Sequence, residues 1–416
     1  MSSGEDKFQM AGGQGKEIEI PLGVQFAVYA TGTFGNTVNN VVTVILPLWA
    51  IHLNASPLMI GLILGARHFL TMVFSIHGGA LMDRLGTRRV LVWFAAIGAL
   101  TPLLFPVMPW LWAVVVLQML GGISSSFAWM GAQALVGQIM QGSPRYAGRL
   151  SFVLRIGHLA APLAAGISWD VFGYWGGFTV LGLWGLGVLL ASLALPKPKE
   201  SNAWKKLSVA DVMPRLSDYA GALQMMTVPA IALVVMASTM RMSGQGMHGS
   251  FYVVYLEGID LTGTLIGMIL SVGSLTGFVG TISVVPLLRR FSGHWLLIVA
   301  VASGVLSVTI TPLLGSIFMA LVLVSGLRGG AMGLAQPLMI SILSGASGRD
   351  QGRGVGIRTT ANRLVSFAVP ILMGGVVELV GLNNSFFLVG GVLMALCAAV
   401  GLYVHRTPGL GRGPND

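Results

Sequence analysis

Charged residues are scarce in this chain of 416 amino acids, of which only 9% are Asp, Glu, Lys or Arg. Soluble domains carry about a quarter of their residues as charges. Hydrophobic residues make up 54% of the chain, and the mean hydropathy is +0.81. A chain of this composition cannot cover itself with a polar surface in water, so we expect lipid to be its solvent.

Cysteine is also nearly absent, since Cys397 is the only one. A disulfide framework and a thiolate metal cluster are therefore excluded, and Cys397 is predicted to be a packed structural thiol. No loop of the G-x4-G-K-[ST] type is present, so nucleotide-driven work by this chain is not predicted. No set of nucleophile, base and acid is evident either, and we expect neither enzymatic activity nor a metal or cofactor.

Acidic residues are outnumbered, with 14 Asp and Glu against 24 Lys and Arg, for a net charge of +10. The basic residues lie in short loops and at isolated points of apolar segments. They form no basic face with interleaved aromatics, so no nucleic-acid partner is predicted. Residues 1–22 lack the basic start and following apolar run of a signal peptide, and are interpreted as a cytoplasmic tail.

Long apolar segments dominate the rest of the chain, and each is long enough to cross a bilayer. The 58 glycines fit this interpretation, because small residues let membrane helices approach closely. Twelve spans are predicted, at residues 23–52, 57–82, 90–108, 111–140, 149–170, 174–195, 221–256, 263–286, 295–312, 315–345, 353–378 and 384–405.

The loops between these spans alternate in charge. Basic loops, which stay in the cytoplasm, contain Arg84, Arg88 and Arg89; Arg145 and Arg149; Lys197, Lys199, Lys205, Lys206 and Arg215; Arg289 and Arg290; Arg349 and Arg353. The opposite loops lack lysine and arginine and contain Asp170, Glu257, Asp260 and Glu378. We therefore expect a multi-pass protein of a bacterial-type inner membrane with both termini in the cytoplasm.

One long polar interruption divides the chain near its midpoint. It is basic, contains proline, and is interpreted as a cytoplasmic linker. The predicted organisation is a tail at 1–22, a six-helix bundle at 23–195, the linker at 196–220, a second six-helix bundle at 221–405 and a tail at 406–416. The fold class is thus an all-α membrane protein of two pseudo-symmetric bundles.

An internal repeat relates the two halves. Residues at a constant offset of 208 (for example 363 minus 155) are Arg145 and Arg353, Gly148 and Gly356, Arg155 and Arg363, Pro162 and Pro370, Gly166 and Gly374, Asp170 and Glu378. The same offset relates Gly121-Gly122 to Gly329-Gly330. Repeats of this kind are typical of transporters whose binding site lies near the bilayer midplane between the halves.

The loop after the second span carries the most specific motif. Its sequence from 79 to 89, GALMDRLGTRR, resembles the G-x-L-x-D-R-x-G-x-R-R loop of the major facilitator superfamily. The resemblance covers all twelve spans and points to the drug and metabolite antiporter-like branch. It implies a conformational latch that closes one state, formed by Gly79, Asp83, Arg84, Gly86, Arg88 and Arg89. In the second half the matching loop, 286–293, lacks the acid.

A second motif lies in the fifth span and resembles the family's G-x3-G-P-x2-G-G pattern, which is associated with exporters. Its members here are Gly157, Ala161, Pro162, Ala165 and Gly166, with two glycines replaced by alanine. Small residues and a proline permit bending and close helix contact. Export or antiport and a generic kink both remain open.

Ionisable residues inside the spans are nearly all basic. Six arginines are predicted there, namely Arg67, Arg155, Arg241, Arg328, Arg358 and Arg363, and His68, His158 and His248 accompany them. Every acid lies in a tail, a loop or the end of a span. An arginine at the bilayer centre costs at least about 2.5–3.5 kcal/mol, so such residues usually face a cavity. Arg358, one turn into its helix, is interpreted as structural.

Polar residues at helical spacing accompany the arginines, as Asn36, Asn39 and Asn40 do on one helix face. The predicted substrate-binding residues are Arg328, Arg363, Arg241, Asn36, Asn40, Gln245, His248, Tyr252, Gln336, Asn362, Arg155, His158 and Arg67. A cationic cavity favours an anionic or hydrogen-bonding substrate. Carboxylate-driven proton coupling is not predicted, because no acid lies within a span; histidine coupling, anion exchange and facilitated movement stay open.

Three functions follow for comparison. The first is a secondary transporter that exports or exchanges a small organic molecule by alternating access, driven by an ion or solute gradient. The second is an importer or exchanger of an organic or inorganic anion bound by the arginines. The third is a non-transporting membrane scaffold. The expected partners are a small-molecule substrate and the bilayer, and we expect a monomer.

Overall fold

The computed structural model describes residues 20–140, 143–196, 225–347, 351–407 and 410. Most of both predicted tails and nearly all of the predicted linker therefore lie outside the described residues. The first four helices are Leu22–His52, Pro57–Leu85, Thr87–Val107 and Leu111–Gln138. The fifth and sixth spans form Pro144–Ala194, which is broken at Gly173.

The second half begins with a 3-10 turn, Met225–Thr227, and the helix Pro229–Met247. A π-helix, His248–Tyr252, and a short helix, Val253–Gly258, complete the seventh span. The remaining helices are Gly263–Ile282, Val284–Leu288, Gly293–Thr309, Phe318–Ser347, Gln351–Val380 and Leu382–Arg406, with a 3-10 turn at Thr311–Leu314.

The described helices give the twelve crossings expected from the sequence. Nine of them are long and apolar enough to cross a membrane as single units. One of the nine, Pro144–Ala194, makes two crossings, because Gly173 interrupts it. The other two crossings are the seventh span, which the π-helix divides, and Gly293–Thr309, which is shorter.

The seventh span begins later than its predicted start at residue 221, because its helix starts at Pro229. Proline suits the first helical position, where its fixed φ is helical and its missing N–H needs no partner. The predicted role of Cys397 is confirmed, since its thiol is buried and lies 3.6 Å from the sulfur of Met240.

The backbone repeats the internal symmetry of the sequence. Gly173 and Gly381, which are 208 residues apart, both have positive φ, at 63° and 81°, and both separate two helices. This left-handed conformation favours glycine, because a Cβ atom would be strained there. A second pair, Asn54 and Asp260, has φ values of 53° and 61° in the turns that precede the second and eighth spans. These turns are thus equivalent, at an offset of 206.

Candidate transport site between the two halves

The halves pack against each other through two pairs of spans, the fifth with the eighth and the second with the eleventh. A methyl group at Gly166 would overlap the carbonyl oxygen of Gly263. In the other pair, a methyl group at Gly374 would lie 2.5 Å from the carbonyl oxygen of Pro57. The helices are therefore in main-chain contact at one end of the molecule, opposite the arginine-rich loop at 84–89. We call these two ends the acidic end and the arginine end.

An acid from each half caps a helix of the other half at the acidic end. The Asp170 carboxylate accepts hydrogen bonds from the backbone N–H groups of Gly263 and Thr264, at 2.8 and 2.7 Å, and from the Thr264 hydroxyl at 2.6 Å. Glu378 accepts one from the backbone N–H of Leu58, at 3.2 Å. The free N–H groups of a helix start attract carboxylates. The closed end is thus held by two related contacts of unequal strength.

The capping role of these acids goes beyond the sequence prediction, which placed them only in acidic loops. Their signal is positional: Asp170 and Glu378 each follow the proline of their span, Pro162 or Pro370, by eight residues. The prolines themselves lie at the interface, because a methyl group at Gly267 would lie 2.5 Å from the carbonyl oxygen of Pro162.

Two of the predicted substrate-binding arginines bridge the halves. Arg155 donates from Nη2 to the hydroxyl of Thr281, at 3.4 Å, and its guanidinium lies 5.2 Å from the ring centre of Phe278. Arg363 donates from Nη1 to the carbonyl oxygen of Thr71, at 2.8 Å. These contacts lie farther from the acidic end than the capped helix starts. Arg155 and Arg363 therefore have structural partners in the opposite half.

Arg67 is buried within the N-terminal half, with 8% of its surface exposed. It donates from Nε and Nη2 to Asn39 Oδ1, at 2.9 and 2.7 Å. Further bonds reach Gln118 Oε1, at 3.4 Å, and Ser125 Oγ, at 2.9 Å. The arginine lines a cavity of about 40 Å³ inside this bundle together with Gln118 and Ser125. Its guanidinium is thus supplied with acceptors by its own half.

The other polar residues predicted in this half are also bonded locally. Asn40 donates from Nδ2 to the carbonyl oxygen of His158, at 3.4 Å. His158 places Nδ1 at 2.7 Å from the carbonyl oxygen of Leu154. The carbonyl oxygen of Asn36 accepts from Asn39, at 3.2 Å.

Arginines of the C-terminal half are less completely bonded than Arg67. Arg241 of the seventh span, Arg328 of the tenth, and Arg358 and Arg363 of the eleventh each bury Nε without a hydrogen-bond acceptor among the described residues, and of these only Arg363 is bonded through another nitrogen. Arg241 interacts electrostatically with both Arg328 and Arg358, so the three positive charges lie near one another. Arg358, which the sequence assigned a structural role, thus belongs to the same cluster.

A π-helix lies beside this cluster. It spans His248–Tyr252, where the rings of the two end residues stack with centroids 4.4 Å apart. His248 interacts electrostatically with Arg328, and its Nε2 atom is buried without a partner. One-turn π segments in helices occur frequently at functional sites. Their hydrogen-bonding pattern has no clear signature in residue spacing, so the sequence did not indicate this one.

The remaining predicted residues surround the cluster at different exposures. Gln245 and Gln336 are exposed, although both lie inside spans. Asn362 is half-buried, and its Oδ1 accepts from the Ser238 hydroxyl at 2.8 Å. The structure thus brings together Arg241, Arg328, His248 and Tyr252, and holds Arg67, Arg155 and Arg363 in separate hydrogen-bonded positions.

The predicted latch loop is described in part. Gly86 has a φ of 86°, and this residue ends one helix and precedes the next. Arg88 donates from Nη2 to the carbonyl oxygen of Leu193, at 2.8 Å, and Arg89 is exposed. Gly79 belongs to the second helix, while the side chains of Asp83 and Arg84 lie outside the described residues.

The small residues of the fifth span contact two different helices. A methyl group at Gly157 would lie 2.8 Å from side-chain carbons of Thr33 and Thr37 in the first span. Ala161 and Ala165 are fully buried, and Gly166 meets the eighth span as described above. The motif therefore packs the fifth span against both its own half and the other half.

Twelve helices in two related bundles that meet face to face define a membrane carrier. The model of the Major Facilitator Superfamily matches the chain over residues 26–314 and 234–416. The chain belongs to this superfamily. It is therefore a multi-pass membrane protein and a secondary transporter, from a family of non-enzymatic carriers that bind small molecules within the membrane.

Solved structures of similar fold agree with this assignment. The nucleoside transporter NupG superposes with a TM-score of 0.74 at 16% identity, covering 92% of this chain and 100% of the other. A point mutant of NupG gives the same score at 13% identity, covering 91% and 99%. A bacterial homolog of the human lysosomal transporter Spinster, in an inward-facing and unoccupied conformation, gives 0.63 at 15% identity and covers 91% of both chains. A search of curated proteins by sequence found no match.

Proposed function

We propose that this carrier exports or exchanges a small organic molecule across the inner membrane by alternating access, with its acidic end outside. The observation that carries the proposal is the pair of helix caps made by Asp170 and Glu378, because they join the halves at the acidic end. Basic loops stay in the cytoplasm, which supports the orientation with the arginine end inside. In this orientation the described conformation is closed toward the outside.

Rocking of the halves would break the two caps and open the acidic end. The contacts are backbone and carboxylate hydrogen bonds, which water can replace once the helices separate. Glycine contacts at Gly166 and Gly374 allow the closed state without side-chain rearrangement. Alternating access requires two arrangements of the bundles, one with this end closed and one with this end open.

The test measures distances between spin labels on the two ends in a Cys397→Ala background. Phe172→Cys with Asp260→Cys reports on the acidic end, and Phe152→Cys with Phe291→Cys on the arginine end; all four positions are exposed. The probes are sodium benzoate, succinate and phosphate, uridine, and tetraphenylphosphonium. We expect at least one probe to lengthen the first distance and shorten the second. If no probe changes either distance, a scaffold is favoured.

Direction is tested separately with the radiolabelled form of whichever probe changes the distances. Export predicts uptake into inside-out vesicles, and preloading with unlabelled probe should accelerate that uptake if the carrier exchanges. Uptake into right-side-out vesicles alone would show an importer.

A further inference from the structure

We infer that the substrate carries an oxyanion group, a carboxylate or a phosphate, and that Arg241 and Arg328 of the C-terminal half bind it beside the π-helix. This inference rests on the proposed function and names the substrate class of that site. The intramembrane arginines differ in the number of hydrogen-bond acceptors around each guanidinium group, and the inference depends on this difference.

Three arginines have acceptors that the protein itself supplies. Arg67 bonds to Asn39, Gln118 and Ser125 within its own half. Arg155 and Arg363 reach oxygen atoms of the opposite half. Arg67 uses Nε, Nη1 and Nη2 in this way, whereas Arg363 uses only Nη1 and buries Nε without an acceptor among the described residues. Each of the three guanidinium groups thus has at least one protein acceptor, so these positions contribute to the fold and the interface.

Arg241 and Arg328 have no such supply. Neither guanidinium has a hydrogen-bond partner among the described residues, and each buries its Nε–H group, although buried polar groups in proteins are nearly always hydrogen-bonded. His248, which is 6% exposed, adds an unpartnered Nε2 atom next to Arg328. Three unsatisfied nitrogen atoms on the seventh and tenth spans, which contact each other, therefore lie in one region of the C-terminal half.

No carboxylate among the described residues compensates these charges. Asp170 and Glu378 are occupied by helix starts at the acidic end. Arg358 adds a third positive charge near Arg241, on the side of the arginine end where its helix begins. The positive charges of the cluster are thus held together against electrostatic repulsion, which an anion would relieve.

The geometry of a guanidinium selects the type of anion. Its planar array of N–H donors matches the oxygen pairs of carboxylate and phosphate, which accept two parallel hydrogen bonds. A neutral His248 protonated at Nε2 would supply one more donor. A cationic substrate would instead add to the positive charge of the site, so the cluster discriminates against it.

Thermal unfolding of the purified full-length carrier tests the inference, with probes at constant ionic strength and sodium chloride as reference. Benzoate and succinate represent carboxylates, and inorganic phosphate and phenyl phosphate represent phosphates, so the two sources of the oxyanion are distinguished. Uridine and tetraphenylphosphonium are the neutral and cationic controls. We expect an oxyanion to raise Tm, and Arg328→Gln or Arg241→Gln to weaken its affinity by about tenfold or more.

Arg67→Gln is the matched control, because it removes the same type of side chain from a position where Nε, Nη1 and Nη2 all have acceptors. It should keep the anion response and lower the Tm of the empty protein. Arg328→Gln should leave that Tm unchanged or raise it, since repulsion is removed and no acceptor is lost. A variant that simply misfolds would lower Tm. The unchanged or raised Tm expected for Arg328→Gln therefore distinguishes loss of the binding site from misfolding.

The inference is overturned if no oxyanion raises Tm, if uridine or tetraphenylphosphonium alone does, or if Arg328→Gln responds to anions as the wild type does. The label distances remain an independent measure in each case. If uridine, for example, lengthens the distance at the acidic end and shortens the distance at the arginine end, alternating access stands and only the substrate class is wrong.

Discussion

The two halves share a backbone plan but treat their buried arginines in opposite ways. In the N-terminal half Arg67 is surrounded by acceptors, whereas the equivalent position of the eighth span, at the offset of 206, is Gly273. In the C-terminal half Arg328 lacks an acceptor among the described residues, and its counterpart 208 residues earlier is Leu120. The comparison supports the inference that Arg67 stabilises its own half, whereas Arg241 and Arg328 are available to a ligand.

The largest expected effect comes from replacing one buried arginine of the N-terminal half by methionine, compared with the same replacement in the C-terminal half. Arg67→Met would leave Asn39, Gln118 and Ser125 without their donor, so we expect a loss of about 3 kcal/mol in the free energy of unfolding. Arg328→Met leaves no acceptor unsatisfied and should cost far less. Thermal unfolding in detergent measures both, and equal losses would remove the distinction between the halves.

An intermediate effect is expected at the two helix caps. Asp170→Asn disturbs three hydrogen bonds, and Glu378→Gln only one. We expect the first to shift the open population of the acidic end by about tenfold, corresponding to about 1.4 kcal/mol, and the second by clearly less. The label pair at Phe172 and Asp260 reads this population. A larger response to Glu378→Gln would contradict the order of the two caps.

The smallest effect is expected where the halves are alike. Ser56 and Thr262 cap the second and eighth spans, and each hydroxyl accepts from a backbone N–H at 3.4 Å. Ser56→Ala and Thr262→Ala should each cost about 0.5–1 kcal/mol, because long cap bonds are weak. Unfolding temperatures of the two variants should agree. A marked difference would show that the repeat is less symmetric in energy than in backbone.

The architecture was accessible from the sequence because hydropathy, loop charge and the 208-residue offset are one-dimensional signals. They predicted twelve helices, two bundles and the superfamily, all of which are confirmed. The repeated pairs Gly121-Gly122 and Gly329-Gly330 were equally visible in the sequence: Gly122 meets the backbone of Arg67, and Gly329 meets that of Gly273. A glycine of this kind indicates close helix contact even when its depth in the membrane is not known.

The division of the arginines was not accessible in the same way. Arg328 and Arg363 looked alike in the sequence, since both lie near the middle of a span. Their difference depends on an acceptor from a distant segment, the Thr71 carbonyl oxygen, which only one of them reaches. Bonds between residues 292 positions apart leave no trace in local spacing. The predicted substrate-binding set thus remains a prediction. The unpartnered nitrogen atoms of Arg241 and Arg328 reduce it to the residues around these two arginines.

The capped helix starts have a consequence for how this carrier can vary. At the acidic end each carboxylate is recognised mainly by amide groups of the main chain, which every residue except proline possesses. Replacements at Leu58 can therefore accumulate without loss of the closing contact, provided that proline is avoided, whereas the acids themselves have no substitute. A contact of this kind lets the side chains of the acidic end change freely while the hydrogen bonds that join the halves there are preserved.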